Sequence, residues 1–196
     1  MAKVSANDRP KILASARSEF LDKSFQKTTT KAIAKLAGVS SSKLYHYFSG
    51  KEDIFATMVS SLALDLERQS SRTQLFTTVL KHEPHQEQIE KIVKFLVDKR
   101  EDLHLLLNRA QGSKLEDFEK NLTQKFGEMS EHLLEDTALH SKLNFNLSRQ
   151  IFTQALTAMA FYLIKEYLEH QLTKDQLIEL VSAWMHFQAR GFELHK

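Results

Sequence analysis

The chain has 196 residues, of which 42% are hydrophobic and 27% are charged, a balance typical of a soluble globular protein with a packed core. Cysteine is absent, which excludes disulfides and thiolate metal sites. The net charge of +2 is unevenly spread, because residues 1–51 hold ten Lys/Arg and three Asp/Glu, a balance of +7, which leaves −5 on the rest. A basic first quarter is compatible with a polyanionic partner, and an ordinary solvated basic surface is the other explanation.

No targeting or membrane segment is evident. The first ten residues are polar and lack the apolar centre of a secretion signal, and the most apolar stretch, residues 155–164, is about half of the roughly 20 residues that cross a bilayer. We therefore expect a cytoplasmic protein with no membrane partner. With only five glycines and two prolines, and helical rather than alternating periodicity almost throughout, the sequence predicts an all-α fold.

Three helices are predicted in the first quarter. The first runs from about residue 9 to 23, with Asp8 as its cap and an inward stripe of Ile12, Leu13, Ala16 and Phe20. Thr29 caps the second helix, on which Ile33, Leu36 and Ala37 share one face, and Gly38 ends it. Ser40 caps the third helix, which ends near Phe48.

A long fourth helix follows, for which Ser49 and Glu52 have the spacing of a capping box, with a break near residues 70–71. The later pattern predicts four or five longer helices, at about 86–100, 102–111, 114–138, 146–171 and 174–193.

Two short helices joined by residues 37–40 have the length and turn chemistry of a helix-turn-helix, whose second helix enters the major groove of DNA. On that helix Leu44 and Phe48 point inward. The opposite side carries Ser42, Lys43 and His46, and Tyr45 and Tyr47 flank it, a set suited to base edges and phosphates. The N-terminus of the fourth helix, with Lys51 in its first turn, is expected to bind a phosphate.

The pattern Phe25-x-x-Thr28-Thr29-x-x-x-Ile33-Ala34-x-x-Ala37-Gly38-Val39-Ser40-x-x-x-Leu44-Tyr45-x-Tyr47-Phe48-x-x-Lys51-Glu52 closely resembles the DNA-binding domain of the TetR/AcrR family of transcriptional regulators. The resemblance covers about residues 9–60. It implies a three-helix DNA-binding domain in residues 1–50 and a helical ligand-binding and dimerisation bundle in residues 51–196, with about nine helices in all. The DNA contacts that it implies are Thr30, Lys31, Ser41, Ser42, Lys43, Tyr45, His46, Tyr47 and Lys51.

Two departures from the family pattern are visible. The family often has glycine where this chain has Ser24, at the exit of the first helix, and again where it has Ser42. Because of Ser24, the family pattern does not define how the chain leaves the first helix. The second changes the surface offered to DNA, so the operator sequence cannot be taken from a relative.

Apolar residues surround most of the helices predicted at 146–171 and 174–193, so these helices must be covered on more than one side. Following the resemblance, we expect them to form a homodimer, and a single larger monomeric core is the alternative. Two recognition helices related by a two-fold axis would read a palindromic operator. The 13 phenylalanines favour an apolar small-molecule inducer, with His104, Asn108 and Tyr162 as candidate polar contacts.

Little in the sequence supports a metal site or an enzyme active site. His82 and His85 flank Pro84 without a third metal ligand, and no nucleophile elbow or glycine-rich phosphate loop is present. We therefore predict no metal, no cofactor and no enzymatic activity. The favoured function is a DNA-binding repressor released by a ligand. A DNA-bound scaffold of the same fold that recruits a protein, or a helical enzyme, is the alternative.

Overall fold

The structure, a computed structural model, describes residues 8–70, 85–135, 149–170 and 172–191. All regular elements in these ranges are α-helices, which confirms the predicted all-α class. The helices are α1 (Asp8–Lys27), α2 (Thr30–Ala37), α3 (Ser41–Tyr47), α4 (Lys51–Ser70), α5 (Gln86–Asp98), α6 (Arg100–Asn108), α7 (Phe118–Glu135), α8 (Arg149–His170) and α9 (Lys174–Gly191). The predicted break near residues 70–71 and the pair of His82 and His85 lie partly outside the described residues.

The described residues form two compact units. The first contains the chain up to Leu64 together with Glu101–Phe118, and the second contains Asp65–Arg100 and the chain from Glu119 onward. The N-terminal part of α4 and the segment Glu101–Phe118 therefore pack with the helix-turn-helix.

An aromatic cluster lies at the centre of the first unit. Phe20 of α1 stacks on Phe25 at 5.7 Å between ring centroids, and Phe55 of α4 meets each of them edge-on at 5.2 Å. Ile12 and Ala16 continue the buried stripe of α1 toward its N-terminus. Burial of these large apolar side chains on α1 and α4 is the main force that holds the two helices together.

The prediction for α2 is wrong at one position. Ile33 is fully buried, as expected from the shared apolar face, but Leu36 is 54% exposed and Ala34 is buried in its place. Successive residues of a helix are about 100° apart, so a buried face centred between residues 33 and 34 places Leu36 almost opposite Ala34. Packing against the rest of the unit, and not the apolar character of Leu36, selects that face.

In the second unit, α9 packs on α5. Arg100 begins α6 with its guanidinium 4.8 Å above the ring of Tyr167, and it donates to the carbonyls of Tyr167 and Leu168 at 3.4 Å. The buried apolar side chains of α5 and α9 are Ile89, Val93, Leu96, Leu177, Val181 and Met185.

One face of α8 remains exposed although its side chains are apolar. Ile151, Met159 and Tyr162 are 52%, 41% and 59% exposed, and Ala155 and Ala158 on the same face are also exposed. These five positions follow the spacing of one helical stripe. On α9, Phe187 is 61% exposed and stacks on Trp184 at 6.2 Å between ring centroids.

Candidate nucleic-acid interface

Local capping contacts build the two helices of the helix-turn-helix. The Thr29 hydroxyl accepts from the backbone N–H of Ala32 at 3.1 Å, and the Ser40 hydroxyl accepts from that of Lys43 at 3.2 Å. Gly38, with φ 67° and ψ 31°, turns the chain between them in the left-handed conformation that favours glycine. The predicted caps of α2 and α3 and the glycine stop are therefore confirmed.

Helix α3, the predicted recognition helix, is buried on one side and exposed to solvent on the other. Leu44 is fully buried and Phe48, just after the helix, is 2% exposed, which confirms that these two residues point inward. Among the predicted DNA contacts of this helix, Lys43 and Tyr47 are half-buried, and Ser41, Ser42, Tyr45 and His46 are exposed. The ring of His46 meets that of Tyr47 edge-on at 5.4 Å.

A hydrogen bond joins α2 to α3 on this surface. The hydroxyls of Thr30 and Tyr45 are 3.1 Å apart, and Tyr45 is 53% exposed. Lys31 follows Thr30 and is exposed. The bond between the first residue of α2 and the middle of α3 places two predicted DNA contacts from different helices side by side.

Lys43 is directed toward the first helix. Its ammonium lies 2.6 Å from a carboxylate oxygen of Asp8, and the side chains of the two residues are only 22% and 9% exposed. Beside this pair, the guanidinium of Arg9 lies 5.2 Å from the centroid of the Phe48 ring. The first turn of α1 is thus in contact with both ends of the recognition helix.

Lys51 contacts the protein's own backbone. Its ammonium donates to the carbonyl of Phe25 at 2.8 Å and lies 4.1 Å from the centroid of the Phe25 ring. Partial burial lowers the pKa of Lys51 below its ordinary value, and the nearby carboxylate of Glu52 partly offsets this effect. An ammonium has three donors, so a phosphate contact by Lys51 would share the group with Phe25.

The predicted capping box of Ser49 and Glu52 is wrong by one residue. Because α4 begins at Lys51, its third residue is Asp53, whose carboxylate accepts from the backbone N–H of Ser49 at 2.8 Å and from its hydroxyl at 3.2 Å. Glu52 accepts instead from the backbone N–H of Lys114 at 3.1 Å.

The segment Glu101–Phe118 is the part of this unit that sequence reasoning missed. Arg17 of α1 pairs with Asp102 at 2.6 Å, and Arg109 donates through Nε to the carbonyl of Leu21 at 3.0 Å. The carbonyl of Arg109 also accepts from the backbone N–H of Phe25 at 2.8 Å. These contacts join residues about 85 apart in the chain, and no spacing or motif in the sequence indicates them.

The candidate ligand residues fall in different units. His104 and Asn108 lie one turn apart on α6 and are half-buried, with the Nε2 atom of His104 and the Oδ1 atom of Asn108 inaccessible to solvent. Both belong to the unit that contains the helix-turn-helix, whereas Tyr162 is exposed on α8 in the other unit.

The described part of the chain contains no group of three potential metal-ligating His, Asp or Glu side chains. None of its helices combines the length and apolarity needed to cross a membrane.

Comparison with known proteins supports the resemblance drawn from the motif. Residues 12–58 match the family described as bacterial regulatory proteins, tetR family. No curated protein has a significantly similar sequence.

Solved structures with a similar fold include NalD, the secondary repressor of the MexAB-OprM multidrug efflux pump in Pseudomonas aeruginosa, at 23% identity over 92% of this chain and 94% of that chain, with a TM-score of 0.61. A TetR-like transcriptional regulator from Rhodococcus sp. RHA1 is 18% identical over 97% and 98% of the two chains, with a TM-score of 0.62. The fatty acid degradation regulator FadR from Bacillus halodurans is 15% identical over 94% and 95%, with a TM-score of 0.58. The resemblance is thereby confirmed: residues 12–58 match the tetR family of bacterial regulatory proteins, and the chain has the fold of solved TetR-family transcriptional regulators.

Proposed function

We propose that the protein is a cytoplasmic, dimeric repressor of transcription that binds a palindromic operator through α3 and is released by a small, largely apolar ligand. Each protomer would place its recognition helix in the major groove, with half-sites about 34–36 Å apart or a multiple of that distance. The nine predicted DNA contacts divide by chemistry. Five would face the major groove, where Ser42 and His46 would read base edges: Ser41, Ser42, Lys43, Tyr45 and His46. The other four would hold the phosphate backbone: Thr30, Lys31, Tyr47 and Lys51.

The observation that carries this proposal is the exposed polar face of α3 behind a fully buried Leu44. A helix that offers Ser, His and Tyr to solvent can place those groups against base edges without losing its own packing. The bond between Thr30 and Tyr45 adds the start of α2 to the same surface, where hydroxyls would reach adjacent phosphates. The +7 balance of residues 1–51 favours a polyanionic partner.

The dimer is proposed from the exposed apolar stripe of α8. The stripe is an exposed apolar surface made of Ile151, Ala155, Ala158, Met159 and Tyr162. The small side chains of Ala155 and Ala158 would allow a second helix to approach closely. Phe187 of α9 adds a large exposed apolar side chain. A second copy of the chain, contacting the same face by two-fold symmetry, would cover these residues.

Ligand release is proposed to act through α6. His104 and Asn108 would supply polar contacts to the ligand, and their segment is bonded to α1 through Asp102 and Arg109. A ligand weakens DNA binding only by binding the DNA-free form more tightly, so contact with this segment is a direct way to favour that form. Tyr162 lies in the exposed stripe of α8, so its ligand contact would occur at the protomer interface.

The alternatives are distinguished by what the protein binds. A scaffold that recruits a protein would hold its operator regardless of small molecules, and a helical enzyme would not select DNA. The similar structures include a repressor of a multidrug efflux pump and a regulator of fatty acid degradation, which favours a regulator that responds to apolar compounds.

The first test is selection of bound fragments from random DNA by the purified protein at low and high salt. We expect a palindromic motif and an affinity that falls steeply with salt. If no DNA is bound at low salt, including after denaturation and refolding to remove a co-purified ligand, the proposal is wrong.

Variants test the assignment of individual contacts. Ser42→Ala or His46→Ala should change the selected motif, whereas Lys31→Met should preserve the motif, weaken all binding about equally and lower the salt slope by about one. An unchanged motif with Ser42→Ala and His46→Ala would contradict base reading by these residues.

A further inference from the structure

Lys43 has two possible partners for its charge. In the structure its ammonium pairs with Asp8 at 2.6 Å, and both side chains are largely shielded from water, at 22% and 9% exposure. Lys43 also lies on the recognition helix between the exposed Ser42 and the buried Leu44, at the edge of the face proposed to meet DNA.

The ammonium has three donors, but a phosphate brought to it while Asp8 stays in place would lie close to the Asp8 carboxylate, and the two anions repel each other. An ion pair that is partly removed from water is stronger than one on an open surface, because the surrounding dielectric is lower. Contact between Lys43 and a DNA phosphate would therefore favour separation of Lys43 from Asp8. The cost of that separation is subtracted from the affinity for DNA.

We propose that Asp8 is a positioning residue that competes with DNA for Lys43 and so limits the affinity of the protein for DNA of any sequence. This inference rests on the proposed function. Phosphate contacts supply most non-specific binding, so engaging Lys43 in the pair with Asp8 lowers the affinity for random-sequence DNA.

Contacts that do not involve Asp8 also hold α3 in place. Burial of Leu44 and Phe48, the cap made by Ser40 and the contact between Arg9 and the Phe48 ring all fix this helix independently of Asp8. Loss of the Asp8 charge should therefore release Lys43 without displacing the recognition helix.

The experiment measures the affinity of the full chain for random-sequence duplex DNA over a series of salt concentrations. Asp8→Asn should bind about tenfold more tightly at low salt and have a slope of log K against log salt steeper by up to about 0.9, the value for one additional phosphate contact. Asp8→Ser, which likewise removes the charge and favours the start of a helix, should behave in the same way. Thermal unfolding without DNA verifies that each variant is folded.

Asp22→Asn is the matched control. It makes the same charge change at an exposed position of the same helix, 14 residues or about 21 Å from Asp8 along the axis. At about 0.1 M salt, where the screening length is about 10 Å, its effect on affinity should stay below about twofold. In a Lys43→Met background, Asp8→Asn should no longer change the slope. A merely structural role of Asp8 would change stability but not produce this dependence on Lys43.

The outcomes distinguish failure of this inference from failure of the proposed function. If the wild-type protein binds DNA but a folded Asp8→Asn variant has the same slope, or binds more weakly, then Asp8 does not compete with DNA and the inference is overturned. If the steeper slope persists in the Lys43→Met background, Lys43 is not the residue released and the inference is also overturned. If the wild-type protein binds no DNA at low salt, the proposed function and this inference both fail.

Discussion

Ser24 occupies a backbone conformation that side chains rarely adopt. Its φ of 66° and ψ of 165° fall in a region that is essentially restricted to glycine, at a cost of about 1–3 kcal/mol for other residues. Two hydrogen bonds hold the chain there: the Thr28 hydroxyl donates to the Ser24 carbonyl at 2.8 Å, and the Phe25 N–H donates to the carbonyl of Arg109 at 2.8 Å. This conformation explains why the family often has glycine at this position.

Ser24→Gly is therefore expected to raise the free energy of unfolding by about 1 kcal/mol, because it relieves this strain. Chemical denaturation monitored by circular dichroism measures the change. Ser18→Gly, at an exposed position inside α1, is the matched control and should lower stability by about 0.5 kcal/mol through its helix propensity. Equal destabilisation by both substitutions would show that residue 24 is unstrained.

At the scale of elements, backbone and side-chain contacts join α1 to α6 and to the turn that follows α6. Arg109 donates to the Leu21 carbonyl at 3.0 Å, just before the kink at Ser24. The Phe25 N–H, which would bond the Leu21 carbonyl in a regular helix, donates to the Arg109 carbonyl instead. Gly112, with φ 82°, allows the following turn to pass Gln26, whose side chain would lie 3.4 Å from an added Cβ atom. The end of α1 is thus completed by a segment distant in the sequence.

Arg109→Ala should lower the free energy of unfolding by about 1.5–3 kcal/mol, the range for a hydrogen bond made by a charged group. Urea denaturation measures the loss. Arg68→Ala is the control, because Arg68 is exposed on α4 and lies 4.0 Å from Asp65, so its removal should cost less than about 0.5 kcal/mol. Similar losses for both variants would indicate that the contact between Arg109 and Leu21 contributes nothing specific.

At the scale of the whole molecule, the exposed apolar stripe of α8 bears on the proposal that two copies of the chain bind DNA together. One short helix contacts few base pairs, and specificity in a genome needs two of them held at a fixed spacing. The stripe of Ile151, Ala155, Ala158, Met159 and Tyr162 is proposed to supply that link.

Met159→Lys should weaken dimerisation by at least about 100-fold, because it would bury an unpaired charge in the protomer contact. Sedimentation equilibrium measures the association, and binding to the selected palindrome should fall in parallel. Val97→Lys on α5 is the control, since Val97 is 45% exposed and Met159 is 41% exposed. The proposed interface would be wrong if Met159→Lys remained dimeric, or if Val97→Lys dissociated to the same extent.

Local patterns along the chain were enough to predict the helical class, the two caps and the glycine stop of the helix-turn-helix, and the inward direction of Leu44 and Phe48. All of these depend on interactions within about four residues, so spacing along the chain contains the information. The family of residues 12–58 was recognisable for the same reason, because its motif is a run of such local features.

The packed fold was needed to establish three other features: which face of α2 is buried, where the ammonium groups of Lys43 and Lys51 lie, and that Glu101–Phe118 packs with the helix-turn-helix. A lysine side chain is long and flexible, so its position on a helical wheel does not fix its charged end, which goes to the nearest suitable oxygen. Those oxygens belong to Asp8 and Phe25, 35 and 26 residues away, and contacts over such distances follow from the packing of the buried side chains.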